Sequence, residues 1–280
     1  MDNPLKIYLQ DSAFAHCIFS NNPMPPKQYT DKVEWVRDGS FTNQDIVVWT
    51  DIDIPNALYR TGKNIAWLVE AWDHIPHIYG FVLKHYDKFE AIWTHDKELL
   101  QKVPNAIKLP FGGCWIDSFD WGIHEKTKNF SIIASGKQQH EGHKLRHQII
   151  AGAGNNIDVF GGGYNPLDNK IDGLKDYRYH FCIENIKRDY WFTEKLIDCF
   201  VTGTIPIYWG CPSIGNFFNK EGMLIFDNIS ELPELLKQCT SEYYESKVEI
   251  LKSNLKLAKK YRLAELTISN IVEKDSYTYK

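Results

Sequence analysis

No stretch of this 280-residue chain approaches the roughly 18 uninterrupted apolar residues that a membrane-spanning helix needs. The opening MDNPLKIYLQDSAF has only a short apolar stretch and an acid at position 2, which does not match a secretory leader. No two cysteines form a C-x-x-C pair. The six thiols (Cys17, Cys114, Cys182, Cys199, Cys211 and Cys239) are scattered. That scatter fits reduced thiols better than a disulfide framework or a zinc site, and the expected location is cytoplasmic. An excess of positive charge is also missing: the formal net charge is −4, with no electrostatic footprint for nucleic acid. Internal repeats and low-complexity segments are absent as well.

What is present is a globular composition, 43% hydrophobic and 24% charged, in a chain long enough for two domains. Nine Trp and fifteen Tyr are many for this length. Exposed, such rings stack on sugars or bases, although most serve the core.

Short apolar runs alternate with helical or turn segments from end to end. Leu5–Leu9, Asp45–Trp49, Ile65–Val69, Ala91–Thr94 and Ala106–Leu109 form a first set. Phe130–Ala134, Ile157–Phe160, Tyr179–Ile183, Ile205–Trp209 and Met223–Phe226 form a second. Continuous apolar runs of strand length mark strands buried on both faces, and their alternation with helices predicts parallel α/β sheets. The aperiodic PFGGCWIDSFDWGIHEKTKN, residues 110–129, is the candidate linker. The expected division is residues 1–125, residues 126–240, and a charged helical tail over 241–280 that packs back across both domains.

The stretch FCIENIKRDYWFTEKLIDCFVTGTIPIYWG carries the densest chemistry. Thr193 is a good N-cap, Glu194 and Lys195 fill a first turn, and Leu196, Ile197, Phe200 and Val201 make an apolar face. Gly203 suits the stop, and Ile205-Pro206-Ile207 restarts a strand. Free N–H groups at a helix start, beside a lysine, suit a phosphate or diphosphate. Taken alone, the same residues are equally well read as solvated first-turn charges with Asn185 in an Asx turn.

The order Ile183-Glu184-Asn185, Thr193-Glu194-Lys195-Leu196, Ile205-Pro206-Ile207 and Trp209-Gly210-Cys211-Pro212-Ser213 resembles the signature of the family 10 α-1,3-fucosyltransferases. Weaker likeness runs from about residue 4 to 230: Asp158 to Gly163, Phe130 to Ser135, Arg146 on a predicted helix, and Ile65 to Glu70. The resemblance implies a GT-B glycosyltransferase, two Rossmann-like α/β domains facing a cleft, inverting and needing no metal or other cofactor. The donor would be GDP-fucose or a related nucleotide-sugar and the acceptor a glycan hydroxyl, with no membrane or nucleic-acid partner. Carried over by position, Arg146 and Lys195 would hold the diphosphate. Asn185 and Glu194 would contact sugar or ribose, with Tyr190, Trp191 and Thr193 completing the donor loop, and Glu70 would be the general base. Two features depart from the family. Trp191 stands where a tyrosine is usual, and the loop from Ser135 to Arg146 is longer and rich in histidine. The rival readings are the same fold with another donor or a nucleic-acid base as acceptor, and an inactive glycan- or nucleotide-binding module.

Three further patterns carry weaker signals. Asp51-Ile52-Asp53 has the D-x-D form that can hold Mg²⁺ or Mn²⁺, but reads better as a strand-end loop. His143 and His147 have i, i+4 metal spacing without a third ligand, so one of His140, His143 and His147 is expected to face a phosphate instead. Gly161-Gly162-Gly163 would allow close backbone approach to a nucleotide. Trp67, Trp72, His74 and His77 surround Glu70 and are candidates for an acceptor subsite or for packing.

Overall fold

The computed structural model describes residues 4–12 and 33–274; Cys17 lies outside them. The chain divides into two compact units, Met1–Phe111 with Leu263–Lys280, and Gly112–Arg262.

The first unit is built on a six-stranded sheet. Its strands are β1 (Leu5–Gln10), β2 (Val33–Val36), β3 (Ile46–Thr50), β4 (Lys63–Trp67), β5 (Ala91–Thr94) and β6 (Ala106–Lys108). They run in the order β2-β1-β3-β4-β5-β6, every pair parallel. Successive residues project to opposite faces. Ile7, Leu9, Val48, Ile65 and Trp67 therefore enter one buried cluster, while Tyr8, Val47, Trp49, Ala66 and Leu68 enter the other. Helices α1 (Pro76–His85) and α2 (Lys97–Lys102) cover the second face through Ile78, Tyr79, Val82 and Leu99. Both faces being dry is why these strands read as unbroken apolar runs. Each Val, Leu or Ile so buried contributes about 1.5–3 kcal/mol.

The second unit holds β7 (Lys128–Ile133), β8 (Asp158–Phe160), β9 (Tyr177–Ile183), β10 (Ile205–Trp209) and β11 (Leu224–Ile225), in the order β11-β10-β9-β7-β8 and again all parallel. Its helices are α3 (Glu141–Ala153), α4 (Glu194–Val201), α5 (Leu232–Leu236) and α6 (Ser241–Ala258). The expected N-cap of α4 is there, the Thr193 hydroxyl accepting from the Lys195 N–H at 3.4 Å. Gly203 ends the segment at φ +67°, a conformation that favours glycine.

Two differences from the sequence reading have physical causes. Strand β2 was not anticipated, since VEWV is too short and polar to stand out. The candidate linker is not a free connection: Cys114 and Ile116 are 1% and 5% exposed in the core of the second unit. Of the tail, α6 belongs to the second unit, while α7 (Ala264–Lys274) buries Ala264 and Ile268 against the first sheet.

Candidate functional site

In the second unit β7 comes first in the chain, β8 joins one of its edges and β9 the other. The crossovers therefore diverge at the β7/β9 pair, the point where open α/β sheets bind ligands beyond their strand ends. A cavity of about 580 Å³ sits there, within the range of small-molecule sites. Its walls include Ala134 and Ser135 after β7, Gly161 and Gly162 after β8, Ile183 and Asn185 at the end of β9, His143 and Arg146 from α3, and Glu194 and Lys195 from α4.

Two glycines let the walls close up. The Gly142 N–H at the start of α3 donates to the Asn185 carbonyl at 2.9 Å, and a Cβ there would lie 1.7 Å from the Glu184 carbonyl oxygen. Gly161 has φ +106°, and a Cβ would lie 2.2 Å from the Ala134 carbonyl oxygen. Any side chain at either position would push apart the strand end and the loop against it.

The charges around the cavity are arranged by the same strand end. The Arg146 guanidinium is 5% exposed and donates from Nε to the Ile183 carbonyl at 3.1 Å and from Nη2 to the Asn185 Oδ1 at 3.0 Å. Burial lowers its hold on its proton, opposed by Glu184. Lys195 Nζ donates to Glu194 Oε1 at 3.0 Å and Thr193 Oγ1 at 3.2 Å. Burial pushes the Glu194 carboxyl up, but Lys195 and Lys170 outweigh it and hold it at about 2. Four of the seven expected donor residues, Arg146, Asn185, Glu194 and Lys195, thus share one cavity wall.

The other three stand behind or beside it. Thr193 is 4% exposed, and its N–H and hydroxyl both donate to Glu184, at 2.9 and 2.7 Å. Trp191 is 2% exposed in the core. Tyr190 has φ +61°, its N–H donates to Ser213 Oγ at 2.9 Å, and its ring packs against Phe217.

Three cavity or near-cavity groups, Lys170, His180 and Ser131, carry no signal of their own in the sequence reading, and Glu184 entered it only as part of the strand-end motif. Lys170 pairs with Asp198 at 2.6 Å, and its ammonium lies 5.1 Å from the Trp115 ring centre. Glu184, fully buried, fastens Thr193. His180 lies in mid-strand, where burial, with Lys170 and Arg146, pushes its imidazole down to about 3. The Ser131 hydroxyl gives its proton to the Gly173 carbonyl at 2.7 Å, so at 2.8 Å it accepts from His180 Nδ1–H, leaving Nε2 of the neutral ring as acceptor. An alternation of His180 and Cys182 inside an apolar strand, continued by Glu184 just past its end, was the available signal.

The histidine pair of α3 splits. His143 lines the cavity, held down at about 4 by burial and then Arg146. His147 instead bridges the Lys137 carbonyl at 3.0 Å and Tyr164 Oη at 2.6 Å.

In the first unit, β4 ends at Trp67 rather than Val69, with the Leu68 N–H still bonded to the Trp93 carbonyl at 2.9 Å. Glu70 follows on a bend. Asp51, at φ +40° and buried, accepts the Val69 N–H at 2.8 Å and the Glu70 N–H at 3.2 Å. Tyr79 Oη donates to the Glu70 carbonyl at 2.9 Å, and His74 Nδ1 lies 2.5 Å from Glu70 Oε2. Asp53 serves a different purpose, accepting from the N–H and hydroxyl of Ser12, both at 2.6 Å. The D-x-D carboxylates are thus loop anchors. Among the described residues no group of three or more His, Cys, Asp or Glu is gathered as a metal ligand set. Of the rings near Glu70, Trp67 is fully buried, Trp72 packs on Tyr79, and His77 is exposed.

No family model matches the chain. In sequence it is 38% identical over 78 residues to the α-(1,3)-fucosyltransferase FucT of Helicobacter pylori, covering 27% of this chain and 16% of that protein. It is 33% identical over 88 residues to the putative fucosyltransferase R654 of Acanthamoeba polyphaga mimivirus, covering 30% and 14%. In structure it superposes on a crystal structure of an α1,3-fucosyltransferase with GDP, with TM-score 0.57 and 16% identity over 92% of this chain and 90% of that one. The chain resembles the α-1,3-fucosyltransferases in sequence and in fold. TarM also superposes, with TM-score 0.59 and 9% identity over 87% of this chain and 56% of that one. Two parallel α/β units of this kind are the GT-B fold. The sequence matches span 16% and 14% of the curated relatives' own length.

Proposed function

We propose that the chain is an inverting glycosyltransferase that moves L-fucose from GDP-fucose to a glycan hydroxyl. The carrying observation is one cavity at the β7/β9 divergence that gathers Arg146, Lys195, Glu194 and Asn185. Two cations suit a diphosphate, and an ionised carboxylate beside an amide suits ribose and sugar hydroxyls. The likeness to fucosyltransferases, one of them crystallised with GDP, supports guanosine as the nucleoside.

In this reading the acceptor oxygen attacks the anomeric carbon, the new C–O bond forms, and the bond from that carbon to the phosphate oxygen breaks. Glu70 takes the proton of the acceptor hydroxyl. Arg146 and Lys195 stabilise the charge that builds on the departing diphosphate, a task cations on the protein perform without a metal. Asp51, Tyr79 and His74 hold Glu70 at its N–H, its carbonyl and its carboxylate. Its place of action would be the cytoplasm.

The test is calorimetric binding of GDP, UDP and CMP, followed by transfer from labelled GDP-fucose to a glycan panel with and without EDTA. Selective GDP binding and EDTA-resistant transfer are expected. Preference for UDP or CMP, or a strict metal requirement, would overturn the reading.

A further inference from the structure

Glu194 and Asp198 stand one turn apart on α4, so they share a helix face and a single cation reaches both. That cation is Lys170, from the short turn Lys170–Gly173 between β8 and β9. Its Nζ is 2.6 Å from Asp198 Oδ2 and 3.9 Å from Glu194 Oε1. The other Asp198 oxygen accepts the Trp115 N–H at 2.8 Å, and the Lys170 ammonium lies over the Trp115 ring. Lys170, Trp115 and Glu194 all line the cavity. The Asp198 carboxylate is fully buried, and the side chains of Lys170 and Glu194 are 19% and 16% exposed.

Burial alone would push Glu194 toward its neutral form. Two ammoniums oppose that: Lys195 at 3.0 Å and Lys170 at 3.9 Å. Lys195 is the one read as a diphosphate ligand, so its charge is shared with the phosphates once the donor is bound. Lys170 is anchored on Asp198 and has no such second duty. It is the cation left to keep the Glu194 carboxylate ionised and in place when the site is full.

We propose that Lys170 is a positioning residue of the donor site, acting on the nucleotide through Glu194 while Asp198 holds it. This rests on the reading that the cavity takes the donor's nucleoside diphosphate.

Lys170→Met alone would strand the buried Asp198 charge and endanger folding. The test therefore uses the charge-balanced Lys170→Met/Asp198→Asn pair, in which the amide oxygen introduced at position 198 can still accept the Trp115 N–H. GDP affinity is measured by calorimetry for the wild type, this pair, Glu194→Gln, and the triple variant, with melting temperatures for each. The expected result is a loss of about tenfold in the pair and in Glu194→Gln, the size of a charged hydrogen bond. The triple variant should be no weaker than Glu194→Gln, and Lys170→Arg should bind GDP as the wild type does. An undiminished affinity in the pair, or losses that add in the triple variant, would overturn the assignment, since residues acting through one another are not additive. Wild-type protein that binds no GDP would overturn the donor reading and this assignment with it.

Discussion

The carboxylate of Glu184 accepts both protons that Thr193 offers, the backbone N–H at 2.9 Å and the hydroxyl at 2.7 Å. The end of β9 is thereby clamped to the start of α4, which fixes where Glu194 and Lys195 emerge. Glu184→Gln replaces one acceptor by a donor aimed at donors. It should cost about 1–3 kcal/mol of stability, read by urea unfolding, and should weaken GDP binding as well. Unchanged stability would mean the clamp is not holding the helix.

Arg146 and Lys195 should each matter more to the leaving group than to the fold. Lys195→Ala and Arg146→Ala are expected to lower transfer on the order of 10²–10³-fold, the usual cost of losing a transition-state charge stabiliser. Arg146→Ala also frees the buried Ile183 carbonyl, so it should show the larger fall in melting temperature of the two. Wild-type turnover in both variants would remove the diphosphate from this cavity.

Glu70→Gln keeps its main-chain bonds to Asp51 and Tyr79 but cannot take a proton. Transfer should fall by roughly 10²-fold or more while GDP affinity stays unchanged. Asp51→Ala should have a milder kinetic effect and a larger effect on stability, since it strands the Val69 and Glu70 N–H groups and leaves alanine at a left-handed φ. Full activity in Glu70→Gln would require another base.

Acid should destabilise the second unit in two stages. The folded-state values of His180 and His143, about 3 and 4, lie below the ordinary 6.5. Below 6.5 the unfolded chain binds protons that the fold refuses, so stability falls as pH drops. Glu194, at about 2, adds a second loss only below its ordinary 4.5. His180→Asn should therefore reduce the stability difference between pH 7 and pH 5 by about 2 kcal/mol, measured by urea unfolding at both values. An unaltered difference would mean that His180 titrates alike in both states.

The sequence by itself determined what depends on neighbours along the chain. Strand runs such as IVVWT and AIWT had to be buried on both faces because no polar residue interrupts them, and that requirement selects parallel sheets covered by helices. Thr193 as a cap and Gly203 as a stop were legible because capping and left-handed turns are local chemistry. Arg146, Asn185, Glu194 and Lys195 were singled out by resemblance to the fucosyltransferase motif, whose residues recur at this spacing, and not by composition or periodicity. Only the tertiary structure decided which groups meet across that spacing. Lys170 finds Asp198, Asp51 finds the Glu70 N–H, and Glu184 turns inward to Thr193 rather than toward a ligand. The tail split for the same reason. Helices α6 and α7 each bury the apolar face they carry, and which sheet receives it depends on the packing surfaces the folded units present, not on the period of the helix.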